Sequence, residues 1–350
     1  MNKVKVLIVD DSAVVRNILA SNLKPYNDIE VVGTASNPYE ARDMIVSLKP
    51  DVITLDIEMP RMNGLEFISV LMKSFPLPII VISSLVSGKC ETSLLALELG
   101  AVDIFAKPTA DVSRKLPLII NELHDKIISV STAKIFKKQE KTFVPDEKKI
   151  SLSNLSNINA TEKIIAIGAS TGGTEAIKRV LEQLPPNMPP IIMTQHMPAG
   201  FTNSFAKRLN DICKNLEVRE AADNDKLYQG LALLAPGNYH LLLARDGAKY
   251  KVLVKDGPKV CHQRPAVDVM FLSAAEVAGK NAVGVILTGM GSDGAAGLLA
   301  MKNKGAKTIS QSEKTCVVYG MPREAVLKGA ADFIEDLDAI PNRIIRLLNN

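Results

Sequence analysis

A chain of 350 residues exceeds the roughly 100 to 200 residues of a single domain, so two compact units are expected. The 47% hydrophobic and 23% charged content excludes a disordered or fibrous chain. The net charge of +4 is no argument for nucleic acid, because the segment from Lys134 to Lys149 holds six lysines against Glu140, Asp146 and Glu147, and runs of this kind are usually solvated.

The amino terminus, MNKVKVLIVDDS, has an apolar stretch too short for a signal peptide or anchor, and no later run approaches the roughly 18 apolar residues of a membrane span. A cytoplasmic protein without membrane insertion is expected. From there, apolar runs at Val4 to Val9, Glu30 to Ala35, Asp51 to Leu55, Ile79 to Ile82 and Asp103 to Ala106 predict five strands. Between them, stretches starting near Ser12, Pro38, Gly64 and Glu91 carry apolar residues at helical spacing, as in Val15, Ile18, Leu19 and Leu23. The alternation predicts a doubly wound parallel sheet, with ligands at the carboxyl ends of its strands.

Those strand ends carry Asp10 and Asp11, Asp56, Ser83, and Lys107 before Pro108. Three converging carboxylates call for a hard divalent cation with oxygen ligands, and Mg²⁺ at Asp11 and Asp56 would orient a phosphodonor for attack by the Asp56 carboxylate. Lys107 can pair with the new charge, and the Ser83 hydroxyl can sense it. In order, LIVDDS, LDIEMPRMNG, VISS and AKP resemble the receiver domain of response regulators over residues 1–125. The resemblance implies phosphorylation of Asp56 by a histidine kinase, a metal site of Asp10, Asp11 and Asp56, and the backbone carbonyl of Glu58 as a further ligand. Ile104 stands where that family usually has an aromatic residue, three before the lysine.

Residues 126–160, with the lysine run and SLSNLSNINA, read as a linker. Beyond it, strands are predicted at Ile164 to Ile167, Ile191 to Thr194, Leu231 to Ala235, Tyr250 to Val254 and Ala282 to Leu287, and helices near Gly173, Gly200, Val267 and Gly294. PGN and RDG turn signals give Leu231 to Val254 the look of a hairpin. Cys90, Cys213, Cys261 and Cys316 have no metal-like spacing and are expected as reduced thiols.

The second half opens on IIAIGASTGG, where Ser170 sits at the apex of a G-x-S-x-G turn between strand and helix. Such a turn exposes a hydroxyl beside N–H groups that can hold an oxyanion. A serine nucleophile needs a base and an orienting acid. His196, in QHMP after a strand, is the best base among His124, His196, His240 and His262, and Asp293, in GMGSDGA after another strand, is the acid. The order Ser, His, Asp differs from that of most α/β hydrolases. A phosphate or nucleotide cradle on the same turn is the competing reading, although Ser170 occupies the third position, where a Rossmann fingerprint needs glycine, and the Gly-Lys-Ser/Thr of a P-loop is absent. A DNA-binding output is the other rival, against which stand the long αβ pattern and the lack of a helix-turn-helix.

Together, IGASTGG, QHMP, HQRPAVDVMF and LTGMGSDGA behind a receiver pattern closely resemble the chemotaxis protein-glutamate methylesterases, the CheB family. The resemblance implies an α/β fold: a five-stranded flavodoxin-like receiver, then, over residues 161–350, a sandwich esterase domain with a mainly parallel sheet. It implies hydrolysis of glutamate γ-methyl esters, often with glutamine deamidation, on methyl-accepting chemotaxis receptors. Ser170 would be the nucleophile, His196 the base, Asp293 the orienting acid, and the N–H of Met290 part of the oxyanion hole, with no cofactor for the ester chemistry. An unphosphorylated receiver is expected to cover the Ser170 site. Ala266 stands where the family commonly has Ser.

Overall fold

The computed structural model describes residues 3–59, 63–84, 89–108, 111–135 and 162–349. Of the linker expected over residues 126–160, residues 136–160 lie outside the described residues. The chain forms two units, divided between Lys138 and Gln139.

The first unit runs β1 (Val4–Val9), α1 (Ala13–Leu23), β2 (Ile29–Ala35), α2 (Pro38–Leu48), β3 (Val52–Asp56), α3 (Gly64–Ser74), β4 (Ile79–Ser84), α4 (Lys89–Glu98) and β5 (Asp103–Lys107), then a short α5 (Val112–Lys115) and α6 (Ile120–Ser131). The strands pair in parallel in the order β2-β1-β3-β4-β5. Val6, Leu7, Ile8, Ile53, Ile80 and Val81 are wholly buried in this sheet, which is why its strands read as unbroken apolar runs. Helix starts follow their caps, with Ser12 accepting from the Val15 N–H and Asn37 from Tyr39 and Glu40. α6 runs past the boundary expected at residue 125, because Ile120, Leu123, Ile127 and Val130 make one buried stripe.

The second unit runs β6 (Ile164–Ala169), α7 (Gly173–Glu182), β7 (Ile191–Gln195), α8 (Phe201–Ile212), β8 (Glu217–Glu220), β9 (Leu231–Leu234), β10 (His240–Asp246) and β11 (Lys249–Lys255). It continues with α9 (Val267–Ala278), β12 (Ala282–Ile286), α10 (Ala295–Asn303), β13 (Lys307–Gln311), α11 (Met321–Leu327), β14 (Phe333–Glu335) and α12 (Ile340–Leu348). Seven strands form one sheet in the order β14-β13-β12-β6-β7-β9-β8, every neighbouring pair parallel. The expected hairpin is narrower than the sequence suggested. β9 belongs to the parallel sheet, and only β10 and β11 pair antiparallel, around the Asp246 to Lys249 turn. β6 sits between β7 and β12, so successive strands leave it to opposite sides and open a crevice at its carboxyl end.

Candidate active site

In the second unit that crevice gathers the three predicted residues. Ser170 follows β6, His196 follows β7 and Asp293 follows β12 through a short turn. The ladder fixes the first two side by side, since Ala169 pairs with Gln195 and the His196 N–H donates to the Ala169 carbonyl at 3.1 Å. From the other side the Ser170 N–H donates to the Thr288 carbonyl at 3.0 Å. His196 Nε2 donates to Asp293 Oδ2 at 2.7 Å. Ser170 is 8% exposed and Asp293 2% exposed, so the pair is largely shielded from water.

The turn holding Ser170 depends on glycine. Gly172, at φ +76°, lets the chain reverse into α7. At Gly289 an added Cβ would lie 2.6 Å from the Ser170 Cβ, so the Gly289–Met290 turn lies directly against the nucleophile. The Gly289 carbonyl accepts from the N–H groups of Gly320 and Met321, which pins that turn from α11.

Two positioning residues escaped the sequence reading. Gln195 Nε2 donates to the Ser170 carbonyl at 2.8 Å and the His196 carbonyl at 3.2 Å, clamping nucleophile and base turns together. Thr288 Oγ1 contacts the carbonyls of Thr171 and Val318 at 3.0 and 3.1 Å and accepts from the Val318 N–H. The available signal was position: Gln195 stands next to the histidine in QHMP, and Thr288 is the second residue of LTGMGSDGA.

The other histidines lie elsewhere. His124 stacks on Tyr26 and bonds to Asp28 and Asp125 in the first unit. His240 is buried, contacting the Pro258 carbonyl through Nε2 and accepting from the Ala266 N–H. His262 sits at positive φ in the loop before α9.

In the first unit, the ends of β1, β3 and β5 converge. Oxygens of Asp10, Asp11 and Asp56 lie within 4.8 Å of one another. Lys107 Nζ donates to Asp10 at 3.0 Å and Asp56 at 2.5 Å, while the Glu58 N–H donates to Asp56 at 3.1 Å. Burial pushes the Asp56 carboxyl above the usual range, against the pull of Lys107. Burial opposes the Lys107 cation, but Asp56 and Asp10 outweigh it and raise its pKa. The all-oxygen donor set, with Asp11 exposed, fits a hard cation such as Mg²⁺. Ser83 is buried at the neighbouring end of β4, its Oγ 3.4 Å from the Ser84 carbonyl, and Ser84 pairs with Lys107. Ile104 is buried in β5. Gly64, the glycine that closes LDIEMPRMNG, is required because a Cβ there would meet the Ile57 Cα at 2.7 Å.

A family model described as CheB methylesterase matches residues 165–344, and one described as response regulator receiver domain matches residues 6–115. The chain is 54% identical over 348 residues to a Syntrophus aciditrophicus (strain SB) protein named protein-glutamate methylesterase/protein-glutamine glutaminase 2, covering 99% of this chain and 100% of that one. It is 47% identical over 350 residues to a protein-glutamate methylesterase/protein-glutamine glutaminase of Yersinia pseudotuberculosis serotype I (strain IP32953), covering 100% of this chain and 98% of that one. Among solved structures, the Thermotoga maritima CheB methylesterase catalytic domain matches with a TM-score of 0.51 and 38% identity, covering 53% of this chain and 98% of that chain.

Proposed function

The chain belongs to the CheB methylesterase family, with a receiver domain ahead of the catalytic unit, and from that premise we propose a phosphorylation-activated serine hydrolase acting on chemotaxis receptors in the cytoplasm. Its substrates are glutamate γ-methyl esters and glutamine side chains of those receptors, and its phosphodonor is a histidine kinase. The observation that carries the reading is the 2.7 Å bond between His196 and Asp293 beside Ser170 at the switch point of the sheet.

With Nε2 engaged by Asp293, His196 Nδ1 takes the proton of the Ser170 hydroxyl as Oγ attacks the γ-carbonyl carbon. The N–H of Met290, in the turn against Ser170, stabilises the oxyanion. Collapse breaks the ester bond, and His196 returns the proton to the departing methanol, or to ammonia from a glutamine. His196 then deprotonates a water, which attacks the acyl-enzyme, and the glutamate carboxylate leaves with Ser170 restored. No cofactor enters these steps.

In the receiver, Asp10, Asp11 and Asp56 with the Glu58 carbonyl would hold Mg²⁺, whose positive charge balances the carboxylates and a phosphoryl group. Asp56 accepts the phosphoryl group, Lys107 pairs with it and Ser83 hydrogen-bonds it. Its arrival relieves a restraint on the esterase, worth a few kcal/mol on the scale of domain-level population shifts. No helix among the described residues is long and apolar enough to cross a membrane, which fits a soluble enzyme working on receptor cytoplasmic portions.

The test is release of methanol from methylated receptor membranes, with and without a small-molecule phosphodonor. Wild type releases methanol faster with the phosphodonor, and Ser170→Ala releases none above background. Release that survives Ser170→Ala would overturn the nucleophile assignment, and release indifferent to phosphodonor would overturn the regulation.

A further inference from the structure

The carboxylate that orients His196 is held by the start of one helix, and that helix start also carries a second buried carboxylate. α9 opens behind Ala266, which has no side-chain acceptor for the orphan N–H groups of the first turn. Asp293 fills that role from another loop. The Val267 N–H donates to its Oδ2 at 2.7 Å and the Asp268 N–H to its Oδ1 at 2.8 Å. α10 has the same need, since Gly294 precedes it and offers no side chain. There the acceptor comes from α9, where Asp268 Oδ1 takes the Gly297 N–H at 2.6 Å. The two helices exchange caps, Asp293 closing α9 and Asp268 closing α10. Gly297 permits the approach, because a Cβ there would lie 2.6 Å from the Phe271 Cβ and 3.0 Å from the Asp268 carbonyl oxygen.

The exchange bears on the chemistry because Asp293 Oδ2 serves both the Val267 N–H and His196 Nε2. A slide of α9 would therefore carry the acceptor of His196 with it. Asp268 is 7% exposed and forms no ion pair among the described residues. Burial, and then the nearby charge of Asp293, push its carboxyl above the usual range despite the Gly297 N–H.

We propose that Asp268 is a positioning residue for the catalytic pair, fixing Asp293 against His196 through this reciprocal cap. The proposal rests on the serine-esterase reading above. Its test uses the full chain with a phosphodonor and methylated receptor membranes, comparing wild type, Ser170→Ala, Asp268→Ala and Asp268→Asn. Asp268→Ala is expected to lower kcat about 10- to 100-fold, the scale of a misplaced catalytic group, with KM unchanged. Asp268→Asn keeps an Oδ1 acceptor for Gly297 and is expected to restore kcat to near wild type.

A wild-type kcat in Asp268→Ala, a loss confined to KM, or an Asn variant as impaired as the Ala variant would overturn the proposal. If Asp268→Ala does not fold by circular dichroism, Asp268→Ser, too short to reach Gly297, replaces it with the same expectation. Failure of both to fold would assign Asp268 to stability alone and overturn the positioning role. Wild type without Ser170-dependent release would sink the esterase reading itself, whereas an active wild type matched by Asp268→Ala sinks this proposal only.

Discussion

Asp268 and Cys213 show how burial alters single groups, and both yield measurable consequences. The folded Asp268 carboxyl binds its proton more tightly than the unfolded one, so stability falls as pH rises from the ordinary carboxylate value through the raised folded value. Asp268→Asn, which does not titrate, is therefore expected to melt above wild type at neutral pH. The gap should close as pH drops below about 4, the ordinary carboxylate range, which differential scanning calorimetry across pH would check. Burial lifts the Cys213 thiol to about 11, and the thiolate is the reactive form. Alkylation of the native protein near pH 8, followed by peptide mass spectrometry, should modify exposed Cys261 first and reach Cys213 only on unfolding. At this scale position is legible where it is local: Ser170, His196 and Asp293 follow strands that the apolar runs predict. Gln195, Thr288 and Asp268 went unseen, because their roles consist of bonds to residues remote in the chain.

Elements show the same division. Strands buried on both faces, such as β3 and β7, are legible as apolar runs. β13 is buried from Thr308 to Gln311, yet its sequence KTISQ gives no apolar run. Thr308 bonds to the Ala330 carbonyl and Asp332, and Gln311 accepts from the Thr288 N–H and donates to Thr315. These long-range bonds make a polar central strand tolerable, and they are invisible before the fold exists. The same network braces the Ser170 turn through Thr288. Thr288→Val removes the hydroxyl at nearly constant volume and leaves the Val318 N–H without its acceptor. The expected loss is about 1 to 3 kcal/mol, measurable by urea denaturation of the full chain.

For the whole molecule, coupling of the two units is the property to measure. Asp56→Asn is expected to keep the basal esterase rate and lose its response to phosphodonor, with methanol release as readout. A fragment beginning near residue 161 should exceed the unphosphorylated full chain in activity, and one no more active than the full chain would count against a restraining receiver. The sequence by itself determined the two-unit organisation, the parallel α/β class, the acidic cluster with Lys107 and the three residues at the esterase crevice. Each is written in local spacing: apolar runs, glycine turns and the polar residues that close them. The tertiary structure alone decided that β6 lies between β7 and β12, which brings Ser170, His196 and Asp293 to one edge. It alone decided the exchanged caps of α9 and α10, since which orphan N–H groups meet which carboxylates depends on packing between segments far apart in sequence.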